Sequence, residues 1–263
     1  MRLPVSFLGC PQRAPFLFFL VKMEIVSRGN SLFKHLKKLA DKKYRRETGQ
    51  YIAEGRRWVT DALAYRPEDV VTVVRRESCD FAPADAVFSD ALFNELADTE
   101  NSQGVLAVMR IPPLVALQGG PCLLLDRIRD PGNMGTILRT ACAAGFYDVI
   151  LNDCVDAYNP KVIRSCMTGI LDLRFIEVPT VSALKESGYT LVCASMGGEN
   201  AFSPMELPKK VCLVVGNEAN GVDPSLLAAC DKVLTIPMEG KIESLNASVA
   251  AGILMYRIRN CIK

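Results

Sequence analysis

The sequence predicts an α/β protein in two parts, a small α/β domain followed by a larger domain built on a parallel sheet. Three observations predict it. In the second half, short apolar runs that read as buried strands alternate with helix-like segments, as in a parallel sheet covered on both faces. Residues 110–121, RIPPLVALQGGP, break all periodicity with three prolines and two glycines and read as a linker. The chain has 263 residues, beyond the ~100 to 200 of one domain. Its 49% hydrophobic and 23% charged content excludes disorder, collagen-like repeats and an extended coiled coil as the overall class.

Residues 1–22, MRLPVSFLGCPQRAPFLFFLVK, combine early arginines with the apolar run Ala14 to Val21. A signal peptide would need a longer run and a small-x-small cleavage site, neither of which follows, and the run is too short to span a bilayer. The segment reads as an upstream extension, with targeting or a packed extra strand as alternatives, and a domain start is expected at Met23.

From Asn30 the apolar residues Leu32, Phe33, Leu36, Leu39, Ala40 and Tyr44 recur at helical spacing, with Asn30 or Ser31 as cap and Gly49 as stop, so one amphipathic helix is expected. Its other face carries Lys34, Lys37, Lys38, Lys42, Lys43, Arg45 and Arg46; with Arg28 these are eight positive charges opposed only by Asp41. The whole chain is +2, so a net +7 here leaves −5 elsewhere. Such concentration suits neutralisation of a polyanion's phosphates, although a solvated helix face has the same composition. QYIAEG, VVTVVRR, DAVFSD and GVLAVMR then read as strands, with helices at Arg56 to Tyr65 and Ala91 to Ala97. The predicted division is an extension 1–22, a first domain 23–110, a linker 111–120 and a second domain 121–263. In the second domain strands are expected at 122–125, 149–151, 175–178, 191–194, 211–215 and 233–236.

Ten cysteines without a C-x-x-C pair, most of them in apolar runs, fit a reducing cytoplasm, and the single histidine, His35, cannot complete a common zinc set. Neither a dinucleotide-binding G-x-G-x-x-G after a strand nor a P-loop occurs, and His35 on the basic helix is no partner for a serine triad. No metal and no membrane partner are expected.

Three clusters follow strands, where a doubly wound sheet places its ligands. In DRIRDPGNMGTILRTACAAGF, residues 126–146, Asp130 to Gly132 start a helix, placing Asn133 in its first turn and Arg139 about two turns on. Asn133 offers donor and acceptor, and Arg139 a fork of donors suited to phosphate; a capping turn beside a surface arginine is the plainer reading. In VVGNEANGVD, residues 214–223, Gly216 and Gly221 permit tight turns or close ligand approach, and Glu218 is the carboxylate before Asp223. In IPMEGKIESLNASVAAG, residues 236–252, Ser244 and Asn246 lie at the start of the last helix, where Ser-x-Asn is also a good cap.

In this order the three clusters resemble the SpoU family of S-adenosylmethionine-dependent RNA ribose 2'-O-methyltransferases, over nearly all of residues 120–260. YNPKVIRSCMTG is also family-like, and SRGNSLFKHLKKLADKKYRRETGQYIAEG resembles the ribosomal-protein-like RNA-binding domain that many members carry. Cys142, where an acidic residue is frequent, and Ala247, where valine is common, depart from the pattern. The resemblance implies a deep C-terminal trefoil knot of the SPOUT type, a homodimer, and S-adenosylmethionine as cofactor. It places Asn133, Arg139, Glu218, Ser244 and Asn246 at catalytic positions and Ser195, Gly216, Asn217, Gly221, Ile236, Met238 and Leu245 around the cofactor. Arg28, Lys34, Lys38, Lys42, Lys43, Arg45, Lys161 and Arg164 become expected RNA contacts, with ribosomal RNA, 23S above all, favoured over tRNA. The other class open to this scaffold is a non-catalytic RNA-binding or ribosome-assembly factor. A guanidinium with pKa above ~12 would cost roughly 7 kcal/mol to use as a free base near neutrality. Arg139 is therefore expected to act as an electrostatic activator.

Overall fold

In a computed structural model the chain folds around two sheets; residues 23–97, 101–178, 180–241 and 244–263 are described. The extension expected over 1–22 lies outside the described residues. The first half runs β1 (Met23–Ile25), α1 (Ser31–Lys38), α2 (Lys42–Thr48), β2 (Gln50–Glu54), α3 (Arg56–Tyr65), β3 (Val70–Arg76), β4 (Ala86–Phe88), α4 (Asp90–Leu96) and β5 (Val105–Arg110). Its strands lie in the order β1-β4-β3-β5-β2; β4 is parallel to β1 and β3, and β5 is antiparallel to β3 and β2. Strand β1 is not visible in the sequence pattern; three residues pairing at an edge are too few to read.

The single helix expected from Asn30 to Gly49 is two helices. Asn30 Oδ1 caps α1 by accepting from Leu32 N at 2.8 Å, and Gly49 at φ +62 stops α2 as expected. Between them Asp41 starts a new helix by accepting from Tyr44 N at 2.9 Å. The break would leave the carbonyls of Leu39 and Ala40 unpaired, and Arg45 Nη1 donates to both at 2.8 Å. Arg45 therefore departs from the solvated face to which its spacing assigned it. It is 2% exposed, and its Nε and Nη2 donate to Asp156 Oδ2 at 3.0 and 2.5 Å.

The second half runs β6 (Cys122–Asp126), α5 (Pro131–Ala144), β7 (Asp148–Asn152), α6 (Pro160–Cys166), β8 (Arg174–Phe175), α7 (Val181–Glu186), β9 (Thr190–Asn200), β10 (Val211–Val215), α8 (Pro224–Ala229), β11 (Lys232–Thr235) and α9 (Ala247–Arg259). All six strands are parallel, in the order β11-β9-β10-β6-β7-β8. The apolar face of α5, α6 and α9 packs on one side of the sheet, and Leu184 of α7 and Leu226 of α8 on the other. The strand expected at 175–178 is only Arg174–Phe175, whereas the one expected at 191–194 extends to Asn200. That extension is interrupted. On β11, Val233 pairs with Cys193 and Leu234 with Glu199, so residues 194–198 loop out of the ladder. Thr235 Oγ1 pins the loop, donating to Ser195 O and accepting from Gly198 N, each at 2.7 Å.

The two halves share a core. Tyr51, Trp58, Val59 and Ala62 belong to the same buried cluster as Leu125, Met134, Ile163 and Cys166. Polar contacts fasten the seam: the Arg45–Asp156 pair, Trp58 Nε1 to Met167 O at 3.2 Å, and Arg66 Nε to Leu171 O at 3.0 Å. Residues 111–120 do not hang free either, since Val115 N bonds Phe175 O and Gln118 N bonds the buried Asp148 carboxylate. Among the described residues three other than glycine take positive φ: Arg127 (+56°) and Asp153 (+47°), where the chain leaves β6 and β7, and Met167 (+56°), where α6 ends. Each such conformation costs about 1–3 kcal/mol and persists only where the surroundings over-determine it.

Candidate active site

The loops after β6 and β10 and the start of α9 meet at the carboxyl edge of the sheet. Asp130 caps α5, its Oδ1 accepting from Asn133 N at 2.7 Å, with Pro131 in the first helical position. That cap aims the Asn133 side chain at two other segments. Asn133 Nδ2 donates to Glu218 Oε1 and Asn133 Oδ1 accepts from Asn246 Nδ2, both at 2.9 Å. Asn246 in turn caps α9, its Oδ1 accepting from Ser248 N at 2.9 Å and Ser248 Oγ at 2.6 Å.

The β10 loop is closed on itself. Asn217 and Gly221 exchange backbone hydrogen bonds at 3.0 and 2.9 Å, and Asn217 Oδ1 accepts from the amides of Ala219 and Asn220. A Cβ on Gly216 would overlap the Gly221 carbonyl carbon, so that position requires glycine, and Gly221 sits at φ +64, where glycine is favoured. Asn217 Nδ2 donates to Arg127 O at 2.8 Å, which ties this loop to the one after β6.

Asp126 opens the first cluster but has no role assigned there, and it underpins the loops that meet at this edge. Fully buried at the end of an otherwise apolar strand, it accepts from Arg127 Nε and Nη2, Asn152 Nδ2 and Asp223 N between 2.8 and 3.1 Å. One carboxylate thus anchors the ends of β6 and β7 and the start of α8. A charged residue closing the apolar run CLLLD is the signal the sequence offers for it.

Asn133, Asn217, Glu218 and Asn246 are therefore brought together. Arg139 and Ser244 are not bonded to them. Arg139 lies six residues beyond Asn133, about 9 Å along α5 and a third of a turn around it. It is exposed and, among the described residues, makes no hydrogen bond or ion pair. Its backbone lies against the 3-10 turn Met167–Leu171, where a Cβ on Gly169 would be 3.5 Å from Arg139 Cα.

Residues 121–256 match the SpoU rRNA Methylase family and residues 30–107 the MRM3-like substrate binding domain. The chain belongs to the SpoU rRNA methylase family. Across 247 residues it is 33% identical to the 23S rRNA (guanosine(2553)-2'-O)-methyltransferase RlmP of Bacillus subtilis, covering 90% of this chain and 99% of that one. It is 34% identical over 162 residues to the 23S rRNA (guanosine-2'-O-)-methyltransferase RlmB of Neisseria meningitidis, covering 60% and 62%. An AdoMet-bound rRNA methyltransferase structure from Sinorhizobium meliloti superposes with TM-score 0.77 at 26% identity, covering 90% of this chain and 97% of that one. A TrmH-family putative RNA methyltransferase from Porphyromonas gingivalis superposes with TM-score 0.76 at 28% identity, covering 87% and 96%. This SpoU-family chain is an RNA ribose methyltransferase that uses S-adenosylmethionine.

The loops present fit that cofactor. Strand order sets β10, β9 and β11 side by side, and the 194–198 loop within β9 and the segment after β11 expose Met196, Met238 and Leu245, apolar side chains suited to an adenine ring and a methionine chain. Of the expected RNA contacts, Lys34, Lys38, Lys42, Lys43, Lys161 and Arg164 are exposed. Lys38 Nζ lies 5.6 Å from the Tyr44 ring centroid, and Lys43 pairs with Glu47 at 3.9 Å. Arg28 is exposed but held by Glu95 at 2.7 Å. Arg45 is the exception: its buried guanidinium, committed to Asp156, cannot meet a phosphate.

Proposed function

We propose that this enzyme methylates a ribose 2'-hydroxyl of 23S ribosomal RNA, as a cytoplasmic homodimer whose C-terminal domain carries the family's trefoil knot. One observation carries the assignment of the site: Asn133 joins Glu218 and Asn246, residues 85 and 113 positions away, in one hydrogen-bonded unit. The ribosomal substrate is supported by a relative that spans both halves of the chain and is named for 23S rRNA. The dimer is supported by apolar side chains left exposed on the C-terminal half, among them Val249 and Tyr256 on one face of α9. The division into a substrate domain 23–110, a linker 111–120 and a methyltransferase domain 121–263 is part of the same reading.

When bound, S-adenosylmethionine supplies a methyl group made electrophilic by its sulfonium. The loops bearing Ser195, Gly216, Asn217, Gly221, Ile236, Met238 and Leu245 hold it. The protein's remaining task is to orient the hydroxyl and stabilise the charge that develops on it. Asn133 keeps one amide hydrogen and one carbonyl lone pair for the ribose, because Glu218 and Asn246 take only one of each. Ser244 and Asn246 orient the hydroxyl. Arg139, whose fork is committed to no described residue, grips the adjoining phosphate and stabilises the alkoxide as its proton passes to water or phosphate. The exposed lysines of α1 and α2, with Lys161 and Arg164, hold the flanking backbone.

Transfer of a tritiated methyl from labelled cofactor tests this with 23S rRNA and tRNA offered separately, followed by mapping of the labelled ribose. Label in 23S rRNA is expected. Label in tRNA alone overturns the substrate, and label in neither favours a non-catalytic RNA-binding role.

A further inference from the structure

The first domain does more than present cations to RNA, because it is built into the support of the catalytic helix. Helix α6 and the 3-10 turn Met167–Leu171 form one layer, with the first domain on one side and α5 on the other. On the α5 side the fit is as close as backbones allow. A Cβ on Gly135 would lie 2.5 Å from Ser165 Cβ and 2.7 Å from Val162 O, and one turn later Gly169 lies against the backbone of Arg139. On the other side Trp58 Nε1 donates to Met167 O, Arg66 Nε to Leu171 O, and Thr168 Oγ1 to Asp61 Oδ2 at 3.3 Å. The first and last residues of the turn that abuts Arg139 are thus held by side chains of α3 and its C-cap.

The backbone at Met167 sharpens the point. Its φ of +56° and ψ of −148° lie in a region that essentially only glycine occupies, so the turn does not hold this shape by itself. The Trp58 indole fixes its carbonyl. Trp58 is 4% exposed and packs edge-on to Tyr51 at 6.2 Å between ring centroids, so the donor belongs to the core of the first domain.

We infer that Trp58 and Arg66 are positioning residues for methyl transfer, holding the Met167–Leu171 turn against α5 so that Arg139 is set at its working position. The inference rests on the catalytic role proposed for Arg139. Neither residue touches RNA or cofactor in this scheme, and the first domain contributes to turnover as well as to RNA affinity.

Full-length Trp58→Phe keeps a ring against Tyr51 and removes the indole donor. Titration of S-adenosylmethionine gives the number of intact sites per chain, against which turnover is scaled. The expected result is kcat on 23S rRNA lowered about tenfold, since a ~1 Å misplacement of a catalytic group can cost about a hundredfold and loss of one supporting bond shifts it by less, with KM for RNA and cofactor affinity within about twofold. Arg66→Met, which keeps the aliphatic stem and loses the bond to Leu171 O, gives an independent measurement should Trp58→Phe not fold; kcat about threefold down with KM unchanged is expected. Wild-type kcat per intact site in both variants, or a rise in RNA KM alone, overturns the inference. Arg139→Ala run beside them separates the two claims: if it retains turnover, the catalytic role of Arg139 is wrong, whatever the Trp58 variant does.

Discussion

At the α1–α2 corner Arg45 directs every bonded nitrogen at protein, two to Asp156 and one to the carbonyls of Leu39 and Ala40, whereas on α5 Arg139 directs none at any described residue. Both arginines sit in segments whose composition points to phosphate. The difference lies in what surrounds them. Arg45 faces a helix break that leaves two carbonyls open and a carboxylate 111 residues away, so folding buries it and makes it a clamp between the two halves. Arg139 lies on an exposed strip of a helix whose neighbours supply backbone contact without a polar partner. A guanidinium fork already filled by protein cannot bind a ligand, and an open one on a rigid helix loses little freedom when it does.

The two arginines differ most in what they contribute to stability. Removing one partner of a buried ion pair costs about 3–5 kcal/mol because the other is left uncompensated. Arg45→Ala is therefore expected to lower the melting temperature by roughly 10 °C, given about 2–4 °C per kcal/mol in chains of this size. Arg45→Lys restores charge but not the two carbonyl bonds and recovers less than half of the loss. Thermal denaturation by circular dichroism decides it; an Arg45→Ala protein as stable as wild type would return this residue to the solvated face.

Arg139→Ala should show the reverse pattern, with melting temperature within about 2 °C of wild type and turnover lowered at least a hundredfold, the scale seen when one oxyanion-stabilising donor is removed. Arg139→Lys should fail nearly as badly, since a point charge does not reproduce a fork. Single-turnover methyl transfer at saturating RNA checks both. Asn133→Ala should fall between the two arginines. It loses two hydrogen bonds near the surface, about 1–3 kcal/mol together, along with the orientation of the ribose, so both stability and turnover drop measurably. A variant that loses only one of the two would separate the structural from the catalytic share of Asn133.

What was legible in the sequence was local. Asp130, Asn246 and Gly49 sit where capping chemistry puts them, and α3 and β10 occupy the residues that apolar periodicity marks. The family resemblance set Asn133, Glu218 and Asn246 at catalytic positions, but their hydrogen bonds join segments far apart in the chain, which no local pattern encodes. The break in the first helix was hidden because Leu39-Ala40-Asp41 contains neither glycine nor proline; what sustains it is Arg45, anchored on Asp156. The loop at 194–198 was hidden likewise, its position depending on the Thr235 hydroxyl about 40 residues away. Features held by one long-range polar partner leave no periodic trace.

The smallest expected effect concerns the cations that stay in solvent beside Arg45. Lys34, Lys38 and Lys42 are exposed, and Lys34 and Lys42 make no hydrogen bond or ion pair among the described residues. Exposed charges of this kind contribute little to folding, so reversal to glutamate at all three should leave the melting temperature nearly unchanged. Their effect should appear as counterion release: each phosphate that the protein ceases to neutralise reduces the slope of log K against log salt by roughly 0.7 to 0.9. The triple variant should bind 23S rRNA more weakly at low salt with a slope shallower by about two to three, while its affinity for S-adenosylmethionine is unaltered. Filter binding across a salt series measures this. An unchanged slope would mean that the basic face is solvated surface like that of any helix, and that RNA reaches the site around Asn133 by another route.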